Sequence, residues 1–289
     1  MQRKVLWSVL ATVVAGAFWL GFGRSERKVA AVRYLDDMFG TIKVRKDVQY
    51  GAALGAKGAN EILYLDVYFA QGDTAKKRWA ILYVHGGGFF AGDKGSSSAV
   101  SLCTALARKG YVVLSLNYRL LGFVPDESTY EQGIELGAAD VRAAIRFARA
   151  NNEMFRIDPE RIAVYGGSAG GGHVDGVYNQ AYDSSNVSTP GTSGDPNAVA
   201  ESSGPVSADV GYIEPGEWPL YIVHSPDDST VAFSHAQRLA AQAQAAGIDY
   251  ATWFPAMSGD CAHALLHPLC AQNEIIISLT NFIYWHFIF

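Results

Sequence analysis

Two glycine-rich loops, each placed directly after a short apolar run, constrain the fold of this chain more than any other feature. Residues 79–85 (WAILYVH) lead into three glycines at 86–88, and residues 161–165 lead into GGSAG at 166–170. Uninterrupted apolar runs of this length are typical of strands that are buried on both faces of a sheet. We therefore predict that both loops lie where buried strands end.

Short β-branched or aromatic runs alternate with segments of helical periodicity, which predicts an α/β fold. In this fold, helices cover both faces of a mostly parallel sheet. The predicted strands are residues 41–50, 62–69, 79–85, 111–117, 161–165, 198–202, 220–224 and 250–254. The first two alternate between apolar and polar residues, and we expect them to form an antiparallel edge.

The same patterns predict five helices, at residues 98–109, 137–150, 169 onward, 233–246 and 275–289. In the first, the residues expected to face inward are Val100, Cys103, Leu106 and Ala107. In the last, they are Ile276, Leu279, Ile283 and Phe287, which favours a helix docked on the sheet over a second contact with a membrane. The Ser-, Gly- and Pro-rich residues 183–196 are expected to form a surface loop.

The N-terminal segment differs in composition from the rest of the chain. Arg3 and Lys4 precede an uncharged run at residues 5–23, and further basic residues follow it. Nineteen helical residues span about 28 Å, enough for a bilayer core, and a secretory signal peptide fits equally well. We expect residues 1–28 to direct export or anchor the protein to a membrane, and residues 29–289 to form one catalytic domain.

The overall charge and the cysteine count exclude other classes of protein. A net charge of −5 gives no electrostatic basis for binding nucleic acid. Three cysteines do not make a disulfide framework. Cys103 is expected in the core, whereas an oxidising compartment would allow a disulfide between Cys261 and Cys270.

The second glycine loop places a nucleophile candidate at a sharp turn from strand to helix. Gly166 and Gly170 leave room for this turn, so the hydroxyl of Ser168 would point away from the sheet. A serine hydroxyl needs a base to take its proton and an acid to orient that base. In a fold of this kind the acid and then the histidine follow the serine along the chain.

Two residues compete for each of these roles. Asp227 and Asp228 both follow the strand predicted at 220–224, and either carboxylate would lie on the same rim as Ser168. His263 comes directly after a glycine turn and is favoured over His267, which precedes Pro268. An H-x-x-x-H pair also suggests a metal site, but the sequence offers no clear third ligand, so no metal is expected.

Three further histidines have simpler interpretations. His85 precedes the first glycine loop and is expected to brace it by hydrogen bonding. His173 follows the serine turn on the predicted helix and is expected to pack. His224 ends a buried strand and is interpreted as structural.

Four segments resemble the hormone-sensitive-lipase-like and carboxylesterase branch of the α/β-hydrolase superfamily. They are YVHGGGFFAGDK (83–94), GYVVLSLNYRL (110–120), FRIDPERIAVYGGSAGGG (155–172) and PLYIVHSPDDSTV (219–231). The resemblance spans residues 50–263 and implies an α/β-hydrolase fold. It also implies roles for particular residues: Ser168 as nucleophile, Asp228 as acid, His263 as base, and Gly87, Gly88 and Ala169 as oxyanion-hole donors.

The chain departs from the pattern of this family in three places. Gly167 stands where many members have an acidic residue, and His173 stands where an aliphatic residue is usual. Residues 24–40 and 183–196 are too short to supply the usual helical cap. Little or no cap is therefore expected, and with it a small or open pocket that takes short acyl chains.

The resemblance implies a serine hydrolase that cleaves a small carboxylic ester through an acyl-enzyme, without a metal or organic cofactor. The same residues are also compatible with an amidase, a formamidase or an exopeptidase. A non-catalytic ligand-binding protein on the same fold is the third alternative, although such relatives usually lack one member of the triad. The oligomeric state is left open.

Overall fold

The computed structural model describes residues 31–126, 128–186, 188–206 and 213–289. The predicted signal peptide or anchor at residues 1–28 lies outside the described residues. Within them, no helix combines the length and apolar character needed to span a bilayer.

Within the described residues, eight strands form one sheet in the spatial order β1-β2-β4-β3-β5-β6-β7-β8. They are β1 (Ile42–Leu54), β2 (Asn60–Ala70), β3 (Arg78–Val84), β4 (Val112–Leu116), β5 (Ile157–Gly167), β6 (Ala198–Ser202), β7 (Leu220–Val223) and β8 (Tyr250–Trp253). β2 pairs antiparallel with β1 and β4, and all the other pairs are parallel. The predicted mostly parallel sheet with an antiparallel edge is confirmed.

The described part of the chain also has six α-helices: α1 (Ser97–Arg108), α2 (Tyr130–Ala150), α3 (Asn152–Phe155), α4 (Ala169–Asp175), α5 (Ser234–Ala246) and α6 (Gln272–Ile288). One hydrophobic cluster joins Leu82 of β3 to Ile145 of α2 and Leu239 of α5. A second cluster joins Ile81, the neighbour of Leu82, to α1 and α6. Because adjacent strand residues point to opposite faces, helices cover both faces of the sheet, as the α/β-hydrolase fold requires.

Two of the predicted helical details are wrong. α2 begins at Tyr130, seven residues earlier than predicted, because its first turns pack on the glycine loop, where a Cβ placed on Gly133 would lie 2.8 Å from the Phe89 ring. In α1, Cys103, Leu106 and Ala107 are buried as predicted, but Val100 is exposed, and Ala99 and Leu102 complete the buried face instead.

The segment at residues 183–196 is more tightly held than a surface loop. Asn186 is buried, and its side-chain amide donates a hydrogen bond of 2.7 Å to Asp140. Arg142 forms an ion pair of 2.8 Å with Asp195, and Arg146 pairs with Asp183. These contacts fasten the segment to α2.

Candidate active site

Ser168 occupies a strained turn between β5 and α4. Its backbone has φ 54° and ψ −125°, a conformation that few residues other than glycine adopt. A Cβ on Gly166 would overlap the carbonyl oxygen of Gly170, and a Cβ on Gly170 would overlap that of Val84. The Ser168 N–H donates to the carbonyl of Ser202 at 2.8 Å, which fixes the turn against β6.

Ser168, His263 and Asp228 lie in one chain of hydrogen bonds. His263 Nε2 is 2.9 Å from the Ser168 hydroxyl, and His263 Nδ1 is 2.8 Å from Oδ2 of Asp228. An ionised carboxylate only accepts hydrogen bonds, so Nδ1 carries the proton and Nε2 is left to accept from the serine. This arrangement can withdraw a proton from Ser168.

The Asp228 carboxylate is buried and accepts several hydrogen bonds. Oδ1 accepts from the N–H groups of Thr230 (2.8 Å) and Val231 (3.0 Å), while Oδ2 faces His263 and, at 3.3 Å, Nε2 of His224. Burial alone would raise the pKa of Asp228. The hydrogen bonds from the two histidines and from Val231 outweigh burial and hold this pKa well below its usual value.

The first glycine loop passes directly beside the serine. A Cβ placed on Gly86 would lie 3.1 Å from the Cβ of Ser168, and Gly87 lines the same cavity. Gly87 and Gly88 have φ values of +135° and +60°, and a Cβ on Gly87 would overlap the carbonyl oxygen of Ala91. No group within the described residues accepts a hydrogen bond from the N–H of Gly87 or Gly88, so both donors are available. Ala169 is the first residue of α4, where an N–H has no partner within its helix.

The competing candidates lie elsewhere. Asp227 is exposed, and the hydrogen bond of His263 goes to Asp228 instead. His267 lines the edge of the cavity, and its Nδ1 accepts from the N–H of Leu269 at 3.3 Å. The structure therefore brings Asp228 and His263, rather than their neighbours, to Ser168.

The other two histidines near the glycine loops are packed inside the domain. His85 stacks on Tyr118, and its Nδ1 is 2.7 Å from the carbonyl of Gly86. His173 is fully buried between Phe89 and Tyr118. Burial, with a smaller contribution from His85, lowers the pKa of His173 to about 3, so this ring is neutral at ordinary pH.

An open cavity of about 360 Å³ adjoins Ser168 and His263. Three serines line it, Ser96 and Ser98 at the start of α1 and Ser202 at the end of β6, and Leu266 supplies an apolar wall. Sequence reasoning missed these four residues because none of them belongs to a motif. Only the proximity of Ser202 to the GGSAG turn, through pairing of β5 with β6, could have been anticipated.

A disulfide between Cys261 and Cys270 closes the segment that carries His263. Cys103 is a free, buried thiol, as expected of a core residue. Within the described part of the chain, no group of three or more His, Cys, Asp or Glu residues could hold a metal ion.

The family model BD-FAE matches residues 65–206, which include both glycine loops but end before Asp228 and His263. This match, the curated esterases and the solved structures support a carboxylesterase of the α/β-hydrolase superfamily. Its similarity to curated esterases is concentrated in the same region. It is 32% identical over 120 residues to the juvenile hormone esterase of Tribolium castaneum, covering 41% of this chain and 20% of that protein.

A second curated esterase shows how far the similarity in sequence extends. The para-nitrobenzyl esterase of Bacillus subtilis is 34% identical over 116 residues, covering 39% of this chain and 23% of that esterase. The chain thus spans about a fifth to a quarter of the length of these relatives.

The solved structures share the fold over most of their length. A butyrate-bound esterase of Thermogutta terrifontis has a TM-score of 0.63 and 20% identity, covering 82% of this chain and 94% of that one. A truncated carbohydrate esterase from gut microbiota has a TM-score of 0.65 and 18% identity, covering 87% of this chain and 98% of that one. The similarity in fold thus extends over most of both solved structures, whereas the similarity in sequence covers about a fifth to a quarter of the two curated relatives.

Proposed function

We propose that this chain is a serine carboxylic ester hydrolase in which Ser168, His263 and Asp228 form the catalytic triad. The observation that carries the proposal is the pair of hydrogen bonds that His263 makes, 2.9 Å to Ser168 and 2.8 Å to Asp228. The match to the BD-FAE family model and the similarity to proteins named as esterases support the same activity.

In the first half-reaction, the Ser168 hydroxyl attacks the ester carbonyl carbon and its proton passes to Nε2 of His263. Asp228 holds the proton on Nδ1 of His263 and stabilises the imidazolium that forms. The negative charge that develops on the carbonyl oxygen is stabilised by the N–H groups of Gly87, Gly88 and Ala169. Loss of one such donor typically costs about 3–4 kcal/mol of transition-state stabilisation.

Collapse of the tetrahedral intermediate breaks the bond to the leaving alcohol, which takes the proton from Nε2 of His263. The acyl group is then bound to Ser168. Water attacks this acyl-enzyme with His263 again as the base, and the second collapse releases the carboxylic acid and returns the proton to the serine. The cycle needs no group beyond those of the chain and one water molecule.

The substrates proposed are small esters with short acyl or aryl groups. The cavity of about 360 Å³ lies at the low end of the volumes that enclose small ligands, and it is open to solvent. Within the described residues, no helical insertion covers the rim beside Ser168. A long acyl chain would therefore leave most of its apolar surface in water.

The test is hydrolysis of p-nitrophenyl acetate, butyrate and octanoate by the full chain and by Ser168→Ala. Activity is expected to fall from acetate to octanoate and to vanish in the variant, with a burst of about one p-nitrophenol per chain if the acyl-enzyme accumulates. Equal inertness of both proteins towards all three esters would contradict the proposal.

Amide hydrolysis is the alternative that the triad alone does not separate from ester hydrolysis. Phenyl acetate and acetanilide differ only in the bond that is cleaved, so the ratio of their kcat/KM values measures the preference directly. We expect the ester to be strongly favoured. A ratio near one would reassign the chain as an amidase, and binding without turnover of either compound would indicate a non-catalytic relative.

A further inference from the structure

An aromatic cluster joins the first described residues to the last helix. Tyr34 stacks on Trp79 with ring centroids 3.9 Å apart, and Trp79 contacts Tyr284 and Phe287 of α6 at 5.7 and 5.3 Å. Arg161, near the middle of β5, donates from Nε to the carbonyl of Phe287 at 3.0 Å. Residues 31–34 and the end of α6 therefore meet at one end of the domain.

This end is opposite to the candidate active site. Trp79 is the second residue of β3, whereas the first glycine loop follows the last residue of that strand. A strand of seven residues spans about 20 Å, so the catalytic rim and the aromatic cluster are separated by roughly this distance. The chain consequently enters the described domain on the side that faces away from Ser168.

Large apolar side chains are exposed at this end, and we call them the basal face. Its members are Val32, Met38, Trp285, Ile288 and Phe289. Met38 belongs here because its N–H donates to the carbonyl of Arg108, at the end of α1 that is remote from the catalytic rim. The exposed fractions of Trp285, Ile288 and Phe289 are 46%, 49% and 85%.

The sequence around the basal face has the character of a membrane interface. Residues 275–289 contain no Asp, Glu, Lys or Arg, and Trp is enriched where proteins meet lipid head groups. The exposed charges at this end are mixed, with Lys76 and Lys77 just before β3 and Asp36 and Asp37 beside Met38, so the apolar side chains carry the argument. The uncharged run at residues 5–23, which is long enough to span a bilayer, precedes the point where the chain enters the domain.

We propose that the basal face rests on a lipid bilayer, with Trp285, Ile288 and Phe289 inserted among the head groups and the catalytic rim directed away from the membrane. An active site oriented in this way takes its esters from the aqueous phase rather than from the bilayer. This orientation is independent of the proposed esterase activity, because it depends on the opposite end of the domain.

The test compares two labelled positions in the full chain, mixed with vesicles of phosphatidylcholine containing phosphatidylglycerol. The fluorophore NBD is attached to Phe289→Cys on the basal face, or to Val124→Cys on the loop after β4 as a matched exposed control. Phe289 and Val124 are 85% and 72% exposed. We expect a blue shift and quenching by brominated lipid for the label at 289, and neither for the label at 124.

Two further measurements make the result decisive. Trp285→Ser combined with Ile288→Ser should abolish the quenching at 289, whereas Val124→Ser should not change it. A label at 289 that stays in water on vesicle-bound chain would overturn the proposal, as would a chain that does not associate with vesicles. A blue shift that depends on protein concentration without lipid would overturn it in favour of a second copy of this chain. Hydrolysis of phenyl acetate in the same samples reports on the esterase proposal separately.

Discussion

Nε2 of His224 lies 3.3 Å from Oδ2 of Asp228, the oxygen that also accepts the hydrogen bond from His263. The same Nε2 is 2.9 Å from the carbonyl oxygen of Val231. Because a carbonyl can only accept, Nε2 of His224 carries the proton and is shared between the two oxygens. The candidate catalytic acid is therefore held by a second histidine, which sequence reasoning interpreted only as structural.

Replacing His224 should separate this positioning role from a role in folding. His224→Leu removes the donor, and we expect kcat/KM to fall about tenfold, which corresponds to about 1.4 kcal/mol for one hydrogen bond to a charged group. Loss of this hydrogen bond should also raise the pKa of Asp228, because the contact with His224 is one of those that hold this pKa below its usual value, so acid should inactivate the variant at a higher pH than the parent chain. His224→Gln places an N–H donor at a similar distance and should restore both values.

The contrast between the two His224 variants is the control. Both remove the imidazole from a buried site, so a merely structural role would affect them alike in thermal unfolding and in activity. An unchanged pH profile in His224→Leu would show that the contact with Asp228 has no effect on the reaction.

The two neighbouring aspartates offer a second matched pair. Asp228→Asn keeps the shape of the side chain but removes the charge that orients His263, and a loss of about 10⁴-fold in kcat is expected from the behaviour of such triads. Asp227→Asn changes an exposed carboxylate that does not accept the hydrogen bond of His263 and should leave kcat within about twofold. Steady-state hydrolysis of p-nitrophenyl acetate measures both, and comparable losses in the two variants would reverse the assignment of the acid.

Local patterns predicted the parts of this molecule that depend on local chemistry. Uninterrupted apolar runs predicted the buried strands. The GGSAG sequence predicted the turn at Ser168, because only glycine fits at positions 166 and 170. Tertiary contacts decided the remainder. The start of α2 depends on packing against Phe89, and the lining of the cavity by Ser96 and Ser98 depends on where α1 begins.

Local sequence patterns also could not decide which of the two neighbouring aspartates contacts His263. Asp227 and Asp228 are both short carboxylates after the same strand, and they differ only in the direction of their side chains. Hydrogen bonds from Thr230 and Val231 turn Asp228 inward, and such backbone contacts leave no mark in composition or spacing.

The stability of the domain should depend on pH through His173. Burial lowers the pKa of His173 to about 3, whereas an unfolded histidine has a pKa of about 6.5. Between these values the unfolded chain binds a proton that the folded chain does not. The contribution of His173 to the free energy of unfolding is therefore complete above about pH 6.5 and decreases as the pH is lowered. The loss from this group between pH 7 and pH 5 is about 2 kcal/mol.

Urea unfolding at pH 7 and pH 5 measures this dependence. His173→Leu should lose about 2 kcal/mol less than the parent chain on acidification, because leucine does not titrate. His267→Gln removes an exposed histidine and serves as the control. Its free energy of unfolding should decrease from pH 7 to pH 5 by the same amount as that of the parent chain. If His173→Leu and the parent chain lose the same free energy of unfolding between pH 7 and pH 5, the buried, neutral state of this ring is contradicted.

The disulfide between Cys261 and Cys270 should hold His263 in place, since this histidine lies within the loop that the disulfide closes. Closing a loop of about nine residues removes conformational entropy from the unfolded chain worth about 2.5 kcal/mol. Thermal unfolding with and without a reducing phosphine measures this contribution, and kcat/KM for phenyl acetate should fall on reduction. Cys261→Ser combined with Cys270→Ser should reproduce the reduced state and no longer respond to the phosphine. Cys103→Ser alters only a buried free thiol and should respond to the phosphine as the parent chain does. If reduction leaves kcat/KM of the parent chain unchanged, the loop around His263 keeps its shape without the covalent bond.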